Sequence, residues 1–381
     1  MITETKSETT SKNQISDFIE ECVNIAIDEE YGSPMMINLA KNKNVKKGDV
    51  RNWVELTEFF GDVKPDEFRK SIYHTTTKWA FKWAKKSRHR ATPLVETGGT
   101  TGKPKKTVFL EDMTLLPGEL DPYDIELPTF PVASQAALRM IDAHKIPRGL
   151  NVLSMLPTGP HMAGKWVVKY WDRDMESMIY HIDLDPRFIK VSMMKDPNAA
   201  KLYLENMNFQ VQNLIEQEFS NIGIVITTGV IVEKMYPIIK KMKEHGNLKA
   251  IIHGGVPMSQ ETHRLVKEEL KLPLAGYYGQ SLFGPTMQTE LPNENYDLDY
   301  YPWERMNMFV TKDENDISQR GSYGEEGTVV SQRVSPECVI PALIQHGDYG
   351  ELIKGKGIYG NRDGIRNPRR ILKKDEQLGV Y

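Results

Sequence analysis

Between Ile15 and about Ala40 the segment beginning ISDFIEECVNIAIDEEYG sets Phe18, Ile19, Cys22, Ile25 and Ala26 on one side of a helix and acidic residues on the other. A second helical stretch, KWAFKWAKKSRHR, runs from Lys78 to Arg90, with Trp79 and Trp83 four apart and able to share a face. Six of its thirteen residues are Lys or Arg, which reads as a basic solvated face over a tryptophan seam or as an anion-attracting patch. Further along, short apolar runs alternate with amphipathic ones. Asn151 to Leu156 and Ile222 to Thr227 predict strands, Ile231 to Glu244 predicts a helix, and LKAIIHGG predicts the next strand. Ser259 stands where it can cap a helix through ETHRLVKEELK. The alternation predicts an α/β domain with a largely buried sheet. From about Tyr300 the runs become short strands broken by Gly and polar turns, as in MNMFVTKDEN and EEGTVVSQRV. They predict a smaller β-rich subdomain from about residue 300 to 360.

The 381 residues suffice for one large domain or two to three average ones, and the 39% apolar share for a sizeable core. A formal charge of −3 provides no bulk pull toward nucleic acid or a membrane surface. Cys22 and Cys338 match neither a disulfide framework nor a zinc site and fit a reducing, cytoplasmic setting. No apolar run approaches a membrane span. Residues 1–14, MITETKSETTSKNQ, lack the apolar centre of a signal peptide and read as a disordered tail.

The densest chemistry lies in VETGGTTGKPKK, Val95 to Lys106, where three Gly, three Thr and three Lys fall within twelve residues. Glycines let backbone N–H groups turn toward an anion, and lysines add positive charge. A Walker loop is excluded because Pro104 follows Gly102-Lys103 and Thr97 stands where its first Gly belongs. No G-x-G-x-x-G runs through Gly98, Gly99 and Gly102, so a dinucleotide fingerprint fails as well.

TGGTTGKPK, Thr97 to Lys105, resembles the T-S-G-T-T-G-x-P-K loop of the acyl-adenylate-forming enzymes, with Gly98 in place of Ser. Three further segments follow in that family's order. MLPTGPHMAG, Met155 to Gly164, is similar to the stretch in which an aromatic or His side chain borders the acyl pocket, and His161 holds that place. HGGVPMS, His253 to Ser259, resembles G-G-x-P-L-S. YYGQSLFGP, Tyr277 to Pro285, resembles Y-G-x-S-E-x-x-G-P, with Tyr278 as the adenine-stacking residue. GEEGTVVSQRVSPECVIPALIQHGD, Gly324 to Asp348, resembles the phenylacetate–CoA ligase branch; Asp348 would accept the ribose hydroxyls, although His346 replaces a Thr. YGNRDGIR is similar to the Y-G-R-x-x-D hinge, with Arg362 as its cation. About 96 residues precede the loop, as in that branch.

The resemblance implies a large adenylation-type domain over residues 15–360, of packed α/β subdomains plus the β-rich one, and a hinge remnant at 361–381. It implies ATP as cosubstrate and a carboxylic acid activated to an acyl-adenylate. Thr97, Gly98, Gly99, Thr100, Thr101, Gly102, Gly254, Gly255, Tyr278, Gly279, Ser281 and Asp348 would bind the nucleotide. Lys105, His161 and Arg362 would be catalytic. The acid would lie among His161, Trp166, Gly229, Gly254, Tyr277 and Phe283, which favours an aromatic acid such as a phenazine-type one. Acceptors would be coenzyme A, a carrier protein or a separate acyl-acceptor protein, and a homodimer is compatible.

Two departures stand out. Leu282 replaces the glutamate that commonly binds Mg²⁺, so the cation would be carried by the triphosphate and water, with no protein-held metal. Only about fifteen residues follow the hinge-like segment, where the family has a mobile lid with a catalytic lysine, and Lys373 and Lys374 are no clear substitutes. Two alternatives stay open: a non-catalytic nucleotide- or acid-binding relative, or an acyl-protein synthetase needing a partner subunit. For the latter, Cys338 is no match to the acylated cysteine.

Overall fold

The computed structural model describes residues 3–86, 94–97, 104–109, 133–159, 161, 164, 175–183, 185, 196–218, 220–255, 258–303, 305–355 and 362–371. Helices α1 (Thr3–Ile27), α2 (Pro34–Lys43), α3 (Trp53–Phe60), α4 (Ile72–Thr75) and α5 (Lys78–Lys86) precede a short antiparallel hairpin of β1 (Leu94–Glu96) and β2 (Lys106–Val108). Next come α6 (Ala133–Ala143), β3 (Asn151–Ser154), β4 (Ile179–His181), α7 (Pro197–Glu218), β5 (Ile222–Thr227), α8 (Gly229–Lys234) and α9 (Tyr236–His245). They are followed by β6 (Ala250–His253), α10 (Gln260–Glu268) and β7 (Leu274–Gln280). The rest is strand: β8 (Gly284–Met287), β9 (Asp299–Pro302), β10 (Met306–Asp313), β11 (Asp316–Arg320), β12 (Glu326–Ser335), β13 (Cys338–Ile353) and β14 (Gly364–Arg370).

Strands β4-β3-β5-β6-β7 run parallel, and the central β5 and β6 are buried at every residue. Alternation along them divides the core. Ile224, Ile226, Ala250 and Ile252 join one cluster with Phe18, Met36 and Met140, while Val225 and Ile251 join Val232, Ile239, Met242 and Val266 on the other. Continuous apolar runs such as IGIVIT are what a doubly covered parallel sheet requires.

Several boundaries differ from the sequence reading, each for a local reason. The first helix begins at Thr3, within the stretch expected to be a tail, because a polar Ser/Thr-rich run carries no periodicity that marks a start. It ends before an Asx turn in which Asp28 accepts from the N–H groups of Glu30 and Tyr31; Ser33 then caps α2, with Pro34 in its first turn. The helix expected over Ile231 to Glu244 is two, because Pro237 cannot continue an existing helix but suits the first turn of α9. Ser259 caps α10 as expected, its Oγ accepting from Thr262 N–H at 3.1 Å.

The strand-rich end is not a detached unit. β8 and β9 join the parallel strands to β14, β13, β12, β10 and β11, giving one 12-stranded sheet. Among the described residues no helix is long and apolar enough to cross a membrane.

Candidate active site

Parallel strands present their carboxyl ends on one edge, and a crevice opens where neighbouring strands connect in opposite directions. β3 is such a strand, with β4 on one side and β5 on the other. His161 follows β3, Gly229 opens α8 directly after β5, Gly254 and Gly255 follow β6, and Tyr277 and Tyr278 lie on β7. Topology alone therefore places these six sequence-predicted positions along one edge. Gly254 stands against Tyr277, whose Cβ lies 3.4 Å from where a Cβ on residue 254 would be, and Gly255 adopts φ +80°. The His161 imidazole is buried, with Nε2 3.7 Å from Asp185 Oδ1.

The β1–β2 hairpin supplies a second wall. Its bend is stapled at the base: Thr97 N–H donates to the Lys105 carbonyl and Lys105 N–H donates to Thr97 Oγ1, both at 3.0 Å. Gly98, Gly99, Thr100, Thr101 and Gly102, and also Trp166, lie outside the described residues.

The third wall is the β13–β14 ladder, which Tyr278 of β7 reaches. Tyr278 Oη donates to Asp348 Oδ2 at 3.4 Å, and Arg370 Nη1 lies 3.5 Å from Asp348 Oδ1. Asp348 and Arg370 are register partners. Burial first, and then the Asp348 charge, push the Tyr278 phenol well above its usual range, so it stays a donor at neutral pH. The Tyr278 ring has Tyr300 beside it, centroids 5.9 Å apart.

Charge links the second and third walls. Burial lowers the Lys105 ammonium pKa, Arg69 and Arg370 lower it further, and Asp348 acts in the opposite sense. Lys105 thus feels the charges of the Asp348–Arg370 pair. Lys105 at the foot of the glycine-rich bend is coupled electrostatically to Arg69, Arg370 and Asp348, a set suited to a polyanion with a vicinal diol.

Two expectations need correction. Arg362 is 8% exposed and donates from Nη1 to the Trp303 and Met306 carbonyls at 2.8 and 2.9 Å, with its guanidinium over the Trp53 ring. Arg362, expected as the hinge cation that contacts ribose or phosphate, thus lies among core residues, and the arginine beside Asp348 is Arg370. Phe283 is fully buried in the core cluster rather than lining a pocket; its carbonyl accepts from Trp303 Nε1 at 3.0 Å. Gly279 serves packing, since a Cβ there would overlap the Gly284 carbonyl, and Ser281 starts the turn between β7 and β8. Arg69, Tyr300 and Arg370 escaped the sequence reading. Only strand register identifies Arg370, and no local pattern marks the other two.

Leu282 is fully buried and its carbonyl accepts from Arg333, so this position does not fit a metal ligand. Among the described residues no group of three His, Cys, Asp or Glu could hold a metal. Cys338 is a buried free thiol with its pKa raised by burial to about 11, the opposite of an activated acyl acceptor.

No protein-family model matches the chain, and no curated protein does. Solved structures do. A 2-hydroxyisobutyryl-CoA ligase in complex with 2-HIB-AMP and CoA, in the thioesterification state, is 12% identical, with TM-score 0.56 over 99% of this chain and 70% of that one. An open conformation of that ligase gives 13% identity, TM-score 0.55, and 93% and 67% coverage. ATP-bound MatB from Rhodopseudomonas palustris is 14% identical, with TM-score 0.42 over 72% of this chain. The chain spans about half the length of MatB, 48%. The α/β fold of this chain is that of the adenylation domain of acyl-adenylate-forming ligases.

Proposed function

We propose that the protein belongs to the acyl-adenylate-forming superfamily and activates a small carboxylic acid with ATP. A carboxylate oxygen attacks the α-phosphorus, the bond from that phosphorus to the bridging oxygen of the β-phosphate breaks, and pyrophosphate leaves with the electron pair. A thiol or amine, such as that of coenzyme A or a carrier protein, then attacks the acyl carbonyl, the acyl–phosphate bond breaks and AMP leaves. The observation that carries this reading is the electrostatic coupling of Lys105 to the Tyr278–Asp348–Arg370 cluster, which supports a triphosphate at one end and a ribose at the other.

In such a reaction the protein's work is positioning and charge stabilisation. The bend from Thr97 to Lys105 would cradle the β- and γ-phosphates. Asp348 would accept the ribose hydroxyls, while Arg370 and Arg69 would balance phosphate charge. Tyr278 would border the adenine, and the acid would lie between Tyr277, Gly254 and His161. An aromatic acid fits the Tyr277 side, and the phenylacetate–CoA ligase branch fits the order of the motifs. Mg²⁺ would arrive with the triphosphate, and no step is assigned to it.

The test is isotope exchange from pyrophosphate into ATP across a panel of aromatic and short aliphatic acids. Acid-dependent exchange is the expected result. ATP binding without exchange for any acid would instead establish a non-catalytic binding protein. Exchange only after a second protein is added would establish a partner-dependent synthetase.

A further inference from the structure

Arg333 lies on β12, fully buried, and its guanidinium reaches three separate chain segments. Nη1 donates to Thr107 Oγ1 at 3.2 Å and to the Leu282 carbonyl at 2.9 Å, and Nη2 donates to the Val108 carbonyl at 2.9 Å. Nη2 also pairs with Glu337, Nε donates to Ser335 Oγ at 3.2 Å, and the Phe109 ring lies 3.7 Å below the guanidinium carbon. Thr107 and Val108 belong to β2, the strand that carries the bend from Thr97 to Lys105. Leu282 is in the turn after β7, the strand that carries Tyr278. Ser335 and Glu337 flank the turn into β13, the strand that carries Asp348.

The glycine-rich hairpin, the turn after β7 and the β12–β13 turn thus meet at one planar guanidinium group. A guanidinium presents donors in a fixed fork, so it sets angles as well as distances between the backbones it joins. A buried ion pair is often replaceable by apolar side chains of similar volume without loss of stability. Spending a fully buried charge on one hairpin, one turn and one strand junction is instead a way to fix their spacing.

We propose that Arg333 is a positioning residue that fixes the gap between the glycine-rich hairpin and the Tyr278–Asp348 wall, so that one nucleoside triphosphate contacts both. The proposal rests on the nucleotide reading above. It predicts a specific pattern. ATP spans the gap, whereas adenosine touches only the Tyr278–Asp348 side, so loosening the junction weakens ATP and spares adenosine.

The experiment compares ATP and adenosine affinity by calorimetry, with melting temperature as a control, in the wild type, in Arg333→Met combined with Glu337→Leu, and in Thr107→Val. The second variant removes only the hairpin's side-chain acceptor, so it serves if the double variant does not fold. The expected result is an ATP affinity at least tenfold lower in the double variant and several-fold lower in Thr107→Val, with adenosine changed less than twofold. Parallel losses of both ligands mean a purely structural role and overturn the proposal, as does an unchanged ATP affinity. A wild type that binds neither ligand overturns the nucleotide reading and this inference together. A wild type that binds both, with the ATP-to-adenosine ratio unmoved in the variants, overturns this inference alone.

Discussion

Asp348 and Arg370 face each other across the β13–β14 ladder, with Nη1 3.5 Å from Oδ1, while Tyr278 Oη reaches the other carboxylate oxygen at 3.4 Å. Both contacts are long for charge-assisted hydrogen bonds. An ionised carboxylate offers about four lone-pair sites, so Asp348 can accept from ribose hydroxyls as well as from Tyr278. The Asp348→Ala variant is therefore expected to lower affinity for ATP and adenosine tenfold or more while leaving inorganic tripolyphosphate within about twofold. Calorimetry with the three ligands checks it; equal losses for all three would remove Asp348 from a ribose role.

Arg362 and Arg370 should separate cleanly by what each variant loses. Arg362→Met removes two hydrogen bonds from a buried cation and strands the Trp303 and Met306 carbonyls, a cost of about 3 kcal/mol of stability. Arg370→Met, at a partly exposed position, should change stability little and weaken ATP binding about tenfold. Urea unfolding and ATP titration of the two variants give the comparison. A reversed pattern, with Arg362 governing ATP, would restore the assignment made from the sequence.

A third prediction concerns backbone approach behind the site. A Cβ on Gly276 would overlap His253 Nε2 and lie 2.8 Å from Gln288 Oε1, two groups in the fully buried layer under β6 and β7. Gly276→Ala should cost about 1–3 kcal/mol by overpacking. It should also disturb Tyr277, the next residue. A urea midpoint equal to that of the wild type would show that the layer yields without cost.

Much of the parallel half was legible because its signals are local. IGIVIT is β5 to the residue, Ser259 caps α10, and the proline that divides the expected helix is visible in the sequence. Tyr278 and Asp348, singled out from two separate short segments, lie in contact in the structure. What escaped depends on contacts between distant segments. The sequence places Arg362 in a hinge-like run, but only strand register decides that Arg370 faces Asp348 and that Arg362 turns inward. The continuity of the sheet through β8 and β9 is likewise a pairing fact. Phe283 beside a motif looked like a pocket wall, yet a buried aromatic in an α/β protein is more often core.

Acid should destabilise this fold through three buried imidazoles before its paired carboxylates titrate. His144 and His253 have pKa values lowered to about 4 and His263 to about 3, burial being the largest cause in each. Hydrogen bonding between Gln288 and each of His144 and His253 acts in the opposite sense but is smaller than burial. His144 Nε2 lies 2.9 Å from the Gln288 carbonyl, and His263 packs edge-on to His253 and against Tyr296. Lys267 adds repulsion toward His144 and His263. Above pH ~6.5 these histidines are neutral in both states and cost nothing. As pH falls from there toward 4, the unfolded chain binds protons that the folded one refuses, so stability falls by up to about 1.4 kcal/mol per pH unit for each histidine. Below the folded values the loss stops growing. Urea unfolding at pH 7.5, 6.5, 5.5 and 5.0 should therefore show a plateau and then a steep decline, with a shallower decline in His263→Phe. Stability that stays flat from pH 7.5 to 5.0 would mean that these rings accept a proton without leaving their places.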